Sequence, residues 1–333
     1  MKFNCIVGNP PYQKNLNLQV NKSLSKQVFP FIMMNIILLK PDYVSLITPS
    51  RWFVADAQDK SFIKLRDFIR EQNHISKLYY YEDEKELFKN VEIKGGLNYF
   101  LFNTNHKGKV EFISFEENGR KTAQKRDLFE KDLDIIISDG KDYPILTKVR
   151  SKDFIPLTTL TTGRNPFGII GKESVVNKVS KEKRISDYTE LRCKGNIVRF
   201  IDPAIITKNR DLFESYKVLI SKSAGNPKND KSVIGLPYIG KPFVACTDSL
   251  ITIGKFDNLY ESESLQKYIK TKFLRFMVSI LKTSQNVTQI VYEFVPLQDF
   301  TDKSDIDWTK SIKEIDQQLY KKYGLSEDEI DYI

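Results

Sequence analysis

At 333 residues the chain is long enough for two hydrophobic cores, since one core rarely grows past about 250–300 residues. Its 41% hydrophobic and 29% charged residues exclude bulk disorder, and no apolar run approaches the ~20 residues of a membrane span. The net charge of +9 leans toward a polyanion such as nucleic acid, although lysine-rich composition alone gives the same figure. Three widely spaced cysteines, Cys5, Cys193 and Cys246, argue against a disulfide framework and fit a reducing cytoplasm. Two histidines and no Cys pair leave zinc without a ligand set, so no metal is expected. The amino terminus has no signal-peptide pattern, and a cytoplasmic location is expected.

In chain order, residues 3–7 (FNCIV) form a short apolar run ending at Gly8, which predicts a buried parallel strand. Residues 25–40 read as an internal helix, 43–47 (YVSLI) as a second strand, and 60–72 as an amphipathic helix. Further strands are predicted at 75–81, 97–102 and 109–113. This alternation implies an α/β fold with a parallel, doubly wound sheet. From about residue 120 the alternation breaks into a charged stretch, followed by a helix near 142–150. Irregular strands come next, with turn signals at TTGRNPFG, SAGNPKND and GLPYIGKPF. A long helix is predicted at 260–283 and another at 307–323, stopped by Gly324. The expected division is 1–125 as an α/β domain and 126–333 as an α+β domain with C-terminal helices.

The stretch Asn9-Pro10-Pro11-Tyr12, directly after the first strand, suits one chemistry well. The exocyclic amine of adenine is a poor nucleophile because its lone pair is delocalised into the ring. Two acceptors aimed at its N–H bonds, an Asn side-chain oxygen and the next residue's carbonyl, favour attack on a methyl donor. Consecutive prolines hold both oxygens stiffly, and a following Tyr can stack on a base flipped from the duplex.

This motif resembles the catalytic motif of adenine-specific DNA N6-methyltransferases of restriction–modification systems. VSLITPSRWF and FKNVEIKGGLNYFLFN resemble later strands of that family. YKVLISKSAGNP, VYEFVPLQDF and SDIDWTKSIKEIDQQLYKKYGLSEDEI resemble its C-terminal part with a target-recognition domain. The resemblance implies a partial methyltransferase-like (Rossmann-like) sheet followed by target recognition of double-stranded DNA.

Under it, Asn9 and the Pro10 carbonyl accept from the amine, Pro11 stiffens the loop and Tyr12 stacks. Phe100, with Tyr99 as the fallback, takes the other face of the base; core packing is the equal alternative for Phe100. Arg164 and Asn165 in one loop, with Lys222, Asn226 and Lys228 in another, are candidates for DNA contact, or else exposed turns. Arg51 and Trp52 sit past a strand end, where α/β sheets bind ligands, although Trp52 is equally a candidate core residue.

The family's methyl donor, S-adenosylmethionine, sits at a glycine-rich turn that precedes this motif, and no Gly-x-Gly occurs in the sequence. The expectation is a donor site completed by a second polypeptide, with the chain inactive alone and a restriction subunit a further partner. A truncated gene fragment is the other explanation. A non-catalytic DNA-recognition subunit, or an RNA or protein substrate, are the alternative functional readings.

Overall fold

The protein is described here by a computed structural model covering residues 3–15, 25–54, 59–88, 93, 95–115, 119–129, 133–150, 153–224, 233–282 and 287–333. The chain divides into two compact units, Met1–Tyr143 and Pro144–Ile333.

The first unit contains β1 (Cys5–Gly8), β2 (Gln13–Asn15), β3 (Ser25–Gln27), α1 (Phe29–Leu38), β4 (Tyr43–Pro49), α2 (Ser61–Gln72) and β5 (Ile75–Tyr81). It continues with β6 (Leu97–Asn103), β7 (Val110–Phe115) and β8 (Lys121–Arg126). Six strands form one sheet in the order β1-β4-β6-β5-β7-β8. The pairs β1/β4 and β5/β7 are parallel, as the sequence predicts, but β1 is an edge strand with Val7 exposed rather than the buried strand expected of its apolar run. β6, however, runs antiparallel to both β4 and β5, so the sheet is mixed rather than wholly parallel. The reason is the connection. Parallel neighbours need a crossover of a dozen or more residues, usually through a helix. Among the described residues, the segment joining β5 to β6 holds only the 3-10 turn Glu84–Glu86.

Helices α1 and α2 pack on one face of this sheet, where Met33, Phe62 and Leu65 meet Val44, Leu78, Phe100 and Phe112 in one core. Helix α1 starts at Phe29 rather than residue 25, and residues 25–27 instead pair with β2. Pro30 explains the shift: it is tolerated in a first turn, where its missing N–H costs nothing, but not in a helix interior.

Residues 121–126, within the charged stretch noted in the sequence, form an edge strand. β8 pairs with β7 and places Lys121 and Lys125 outward, as exposed edges require. The chain beyond it still packs on this unit. Leu128 and Ile136 join its core, and the Ile136 N–H donates to the Phe53 carbonyl at 2.9 Å. The two compact units meet between Tyr143 and Pro144.

Helix α3 (Asp142–Val149) begins at that boundary. In the second unit follow α4 (Glu173–Val179), β9 (Ser180–Lys181), β10 (Thr189–Arg192), β11 (Val198–Ile201), α5 (Arg210–Phe213) and β12 (Tyr216–Ser221). Then come β13 (Tyr238–Gly240), β14 (Val244–Cys246), β15 (Leu250–Phe256), α6 (Leu259–Lys270), α7 (Lys272–Leu281), α8 (Ile312–Lys322) and α9 (Glu327–Tyr332). They build two small sheets, β14-β10-β11-β9 and β13-β12-β15, and a helical C-terminal part.

The helix expected over 260–283 is two helices. Thr271 is extended (φ −65°, ψ 149°), its hydroxyl accepts from the Leu274 N–H, and the Asp316 carboxylate accepts from the N–H groups of Lys272 and Phe273 at 3.1 and 3.0 Å. Thr271 thus caps the second helix, and an acceptor supplied from α8 holds two more of its first-turn N–H groups. The final stop is as predicted: Gly324 follows α8 with φ +62°. Among the described residues, no helix is long and apolar enough to cross a membrane, and no three His, Cys, Asp or Glu side chains cluster to hold a metal ion.

Candidate active site

β1 ends at Gly8, and Asn9-Pro10-Pro11-Tyr12 continues from the C-terminal end of the parallel β1/β4 pair. Open α/β sheets bind ligands at such strand ends. Asn9 and Pro11 are exposed, Pro10 is buried and Tyr12 is half-buried, so the loop is fixed from below and open above. Among the described residues, no well-formed hydrogen bond engages the Asn9 amide or the Pro10 carbonyl. Both oxygens are therefore available as acceptors.

Tyr12 is held from two sides. Its carbonyl accepts from the Val28 N–H at 3.0 Å, and its ring meets Phe29 edge-on at 6.5 Å. The Tyr12 hydroxyl is enclosed and has no hydrogen-bond partner among the described residues. Burial pushes its pKa up. The Asn9 side chain beside it opposes that rise.

Beside the loop, the end of β4 is pinned by a buried polar network that the sequence reading missed. The Asn98 amide donates to the Thr48 carbonyl and to the Ser50 hydroxyl, each at 3.1 Å, and accepts from the Thr48 hydroxyl at 3.2 Å. The Ser50 N–H donates to the Gly96 carbonyl at 2.9 Å. Asn98 is fully buried, and its signal in the sequence is an amide at an inward position of the apolar run LNYFLF. The turn after β4, Ser50–Phe53, is held from the other side. Arg66, also buried, donates to the Trp52 carbonyl at 2.8 Å and pairs with Asp134 at 3.1 Å. Burial alone would raise the Asp134 carboxyl, but hydrogen bonds from Arg70 and Arg66 hold it below the usual range.

The two candidate base-stacking aromatics lie on opposite faces of β6, and for Phe100 the core-packing alternative fits its burial. Phe100 is fully buried in the core under α1 and α2, so it has no ring face to offer a base. Tyr99 points to the opposite face, where it stacks on Tyr79 at 4.7 Å and lies 6.0 Å from Tyr81, which in turn stacks on Phe115. Its ring is taken up by this row of aromatics.

In the second unit, Arg164 is exposed and unpaired among the described residues. Asn165 adopts φ +58°, and its side-chain oxygen is enclosed without a partner. The Lys222 ammonium donates to the Asp248 carbonyl at 2.7 Å, a bond that ties the end of β12 to the turn before β15. Asn226 and Lys228 lie outside the described residues. An unexpected cation is Lys217, fully buried, whose ammonium donates to the carbonyls of Phe213, Ser215 and Lys241 at 3.0–3.1 Å.

The first unit is thus a mixed α/β sheet whose parallel pair β1/β4 ends beside an Asn-Pro-Pro-Tyr loop. Residues 1–88 match the family model of the Eco57I restriction-modification methylase. The chain is 31% identical over 175 residues to an uncharacterized adenine-specific methylase of Mycoplasma pneumoniae, an alignment covering 50% of this chain and 41% of that protein.

Among solved structures it is similar to the type IIG restriction endonuclease BpuSI, with 12% identity, 94% of this chain and 48% of that chain covered, and a TM-score of 0.39. It is also similar to the type IIL restriction-modification enzyme MmeI in complex with DNA, with 10% identity, coverages of 87% and 45%, and a TM-score of 0.43. At these scores the fold rests on the strand order itself. The chain spans less than half the length of each of these relatives. In sequence it resembles adenine-specific methylases of restriction–modification systems.

Proposed function

We propose that this chain carries the target-base half of a site-specific DNA adenine-N6 methyltransferase of a restriction–modification system. The observation that carries the reading is the pair of unengaged oxygens on the Asn9–Pro10 loop at the end of β1. They would accept from the two N–H bonds of a flipped adenine and concentrate its lone pair on nitrogen, with Tyr12 against the ring. Such preorganised polar groups contribute most where charge develops. Residues 144–333 would serve as the target-recognition part, reading double-stranded DNA.

S-adenosylmethionine would supply the methyl group. Among the described residues, the parallel strands β1, β4, β5 and β7 end in no glycine-rich turn, so this part of the chain does not by itself fit that donor. β1 pairs only with β4 among the described residues, and its Val7 side chain is 74% exposed. A row of unpaired backbone groups with apolar side chains is a template for another strand. The donor-binding segment would dock at that edge, carried by a second polypeptide in the cytoplasm, with a restriction subunit a further partner.

Asn9→Ala in the assembled enzyme tests the reading. Methylation should fall by at least ~100-fold while DNA affinity stays within about twofold. Unchanged methylation refutes it, and an assembly with no methylation to lose indicates a DNA-recognition subunit without catalysis.

A further inference from the structure

Arg51 leaves the sheet at the same end as the Asn9–Tyr12 loop. β1 and β4 run parallel with Gly8 in register with Leu46, so one continues into Asn9 and the other into Pro49, Ser50 and Arg51. Arg51 is exposed, and no hydrogen bond or ion pair engages its guanidinium among the described residues. Its neighbours, by contrast, are tied down. Ser50 is bonded to Asn98 and Gly96, and Trp52 is fully buried with its carbonyl held by Arg66. The Arg51 stem runs over Gly95, where an added Cβ would come within 3.0 Å of Arg51 Cγ; Gly95 also has φ +94°, a conformation that favours glycine. A fixed base, a path cleared of side chain and an unpaired planar cation together form a site for an oxyanion.

We propose that Arg51 binds a phosphodiester of the target strand beside the flipped adenine and so seats that nucleotide against Asn9. This rests on the methyltransferase reading above. Two anions could meet it, a DNA phosphate or the carboxylate of the donor. In the strand order, β4 lies on the inner side of β1, whereas the donor would dock at the outer, unpaired side. That placement favours the DNA strand, whose phosphates a guanidinium can grip with two parallel hydrogen bonds.

The test uses the full chain and a dye-labelled duplex oligonucleotide carrying one abasic site, with affinity measured over a range of salt concentrations. Arg51→Gln should weaken binding about tenfold, as loss of a charged hydrogen bond does. It should also reduce the slope of log affinity against log salt by about 0.9, the value for one phosphate contact. Arg51→Lys keeps the charge and should keep the slope. Donor affinity of the assembled enzyme should not change. An Arg51→Gln slope equal to wild type overturns the proposal, as does a loss of donor affinity with DNA binding intact. Because Arg51 is exposed, the thermal melt of Arg51→Gln should superpose on that of wild type, and a lowered melt assigns the residue to the fold instead. The Asn9→Ala measurement is independent: normal methylation there removes the functional reading whatever the slope at Arg51.

Discussion

Replacing Asn98 by leucine should destabilise the first unit far more than its modest change in volume implies. The substitution deletes three hydrogen bonds, to the Thr48 carbonyl, the Thr48 hydroxyl and the Ser50 hydroxyl, while Thr48 and Ser50 remain 0% and 3% exposed. Water cannot replace the lost partners. Each bond contributes about 1 kcal/mol, and each buried group left unpaired costs about 1–3 kcal/mol. A net loss of ~3–5 kcal/mol is expected, a large share of the 5–15 kcal/mol typical of a domain. The chain has two tryptophans, so a Trp308→Phe background leaves fully buried Trp52 to report on the first unit alone. Urea denaturation followed by its fluorescence gives the difference. Adding Thr48→Val to Asn98→Leu removes one orphaned hydroxyl and should recover about 1 kcal/mol. A loss below about 1 kcal/mol for Asn98→Leu would refute the claim that this network pins the end of β4.

Two further outcomes follow from single side chains. Because the Tyr12 hydroxyl is enclosed without a partner among the described residues and its ring is half-buried against Phe29, Tyr12→Phe should keep methylation within about threefold and Tyr12→Ala should lower it about 10–100-fold; equal losses in the two variants contradict a stacking role. Burial lowers the Lys217 ammonium from 10.5 to about 7. The unfolded chain therefore holds this proton more tightly between those two values, so stability rises with pH across that window. Lys217→Met has no such proton to exchange, and its urea midpoint should climb less than that of wild type between pH 7 and 10; parallel climbs would show that the three carbonyls keep the ammonium protonated throughout.

Much of the molecule is legible in its residues. Strands β1, β4 and β5, helix α2, the Gly324 stop and the Asn9–Tyr12 loop follow from runs of apolar residues, helical spacing and proline, because each is set by neighbours within a few positions. The direction of β6 and the role of residues 121–126 are not local. Each depends on what lies across the fold: a strand to pair with, an open edge beside β7.

The same division runs through the candidate site. Sequence alone determined which residues could aim two oxygens at an amine, since diproline stiffness is a property of the chain itself. Only the tertiary structure decided that Phe100 belongs to the core, that Tyr99 stacks on Tyr79, that Lys222 holds a carbonyl and that Arg51 has no partner among the described residues. Alternation along a strand says that two residues face opposite ways, but which face is buried depends on the helices packed against it.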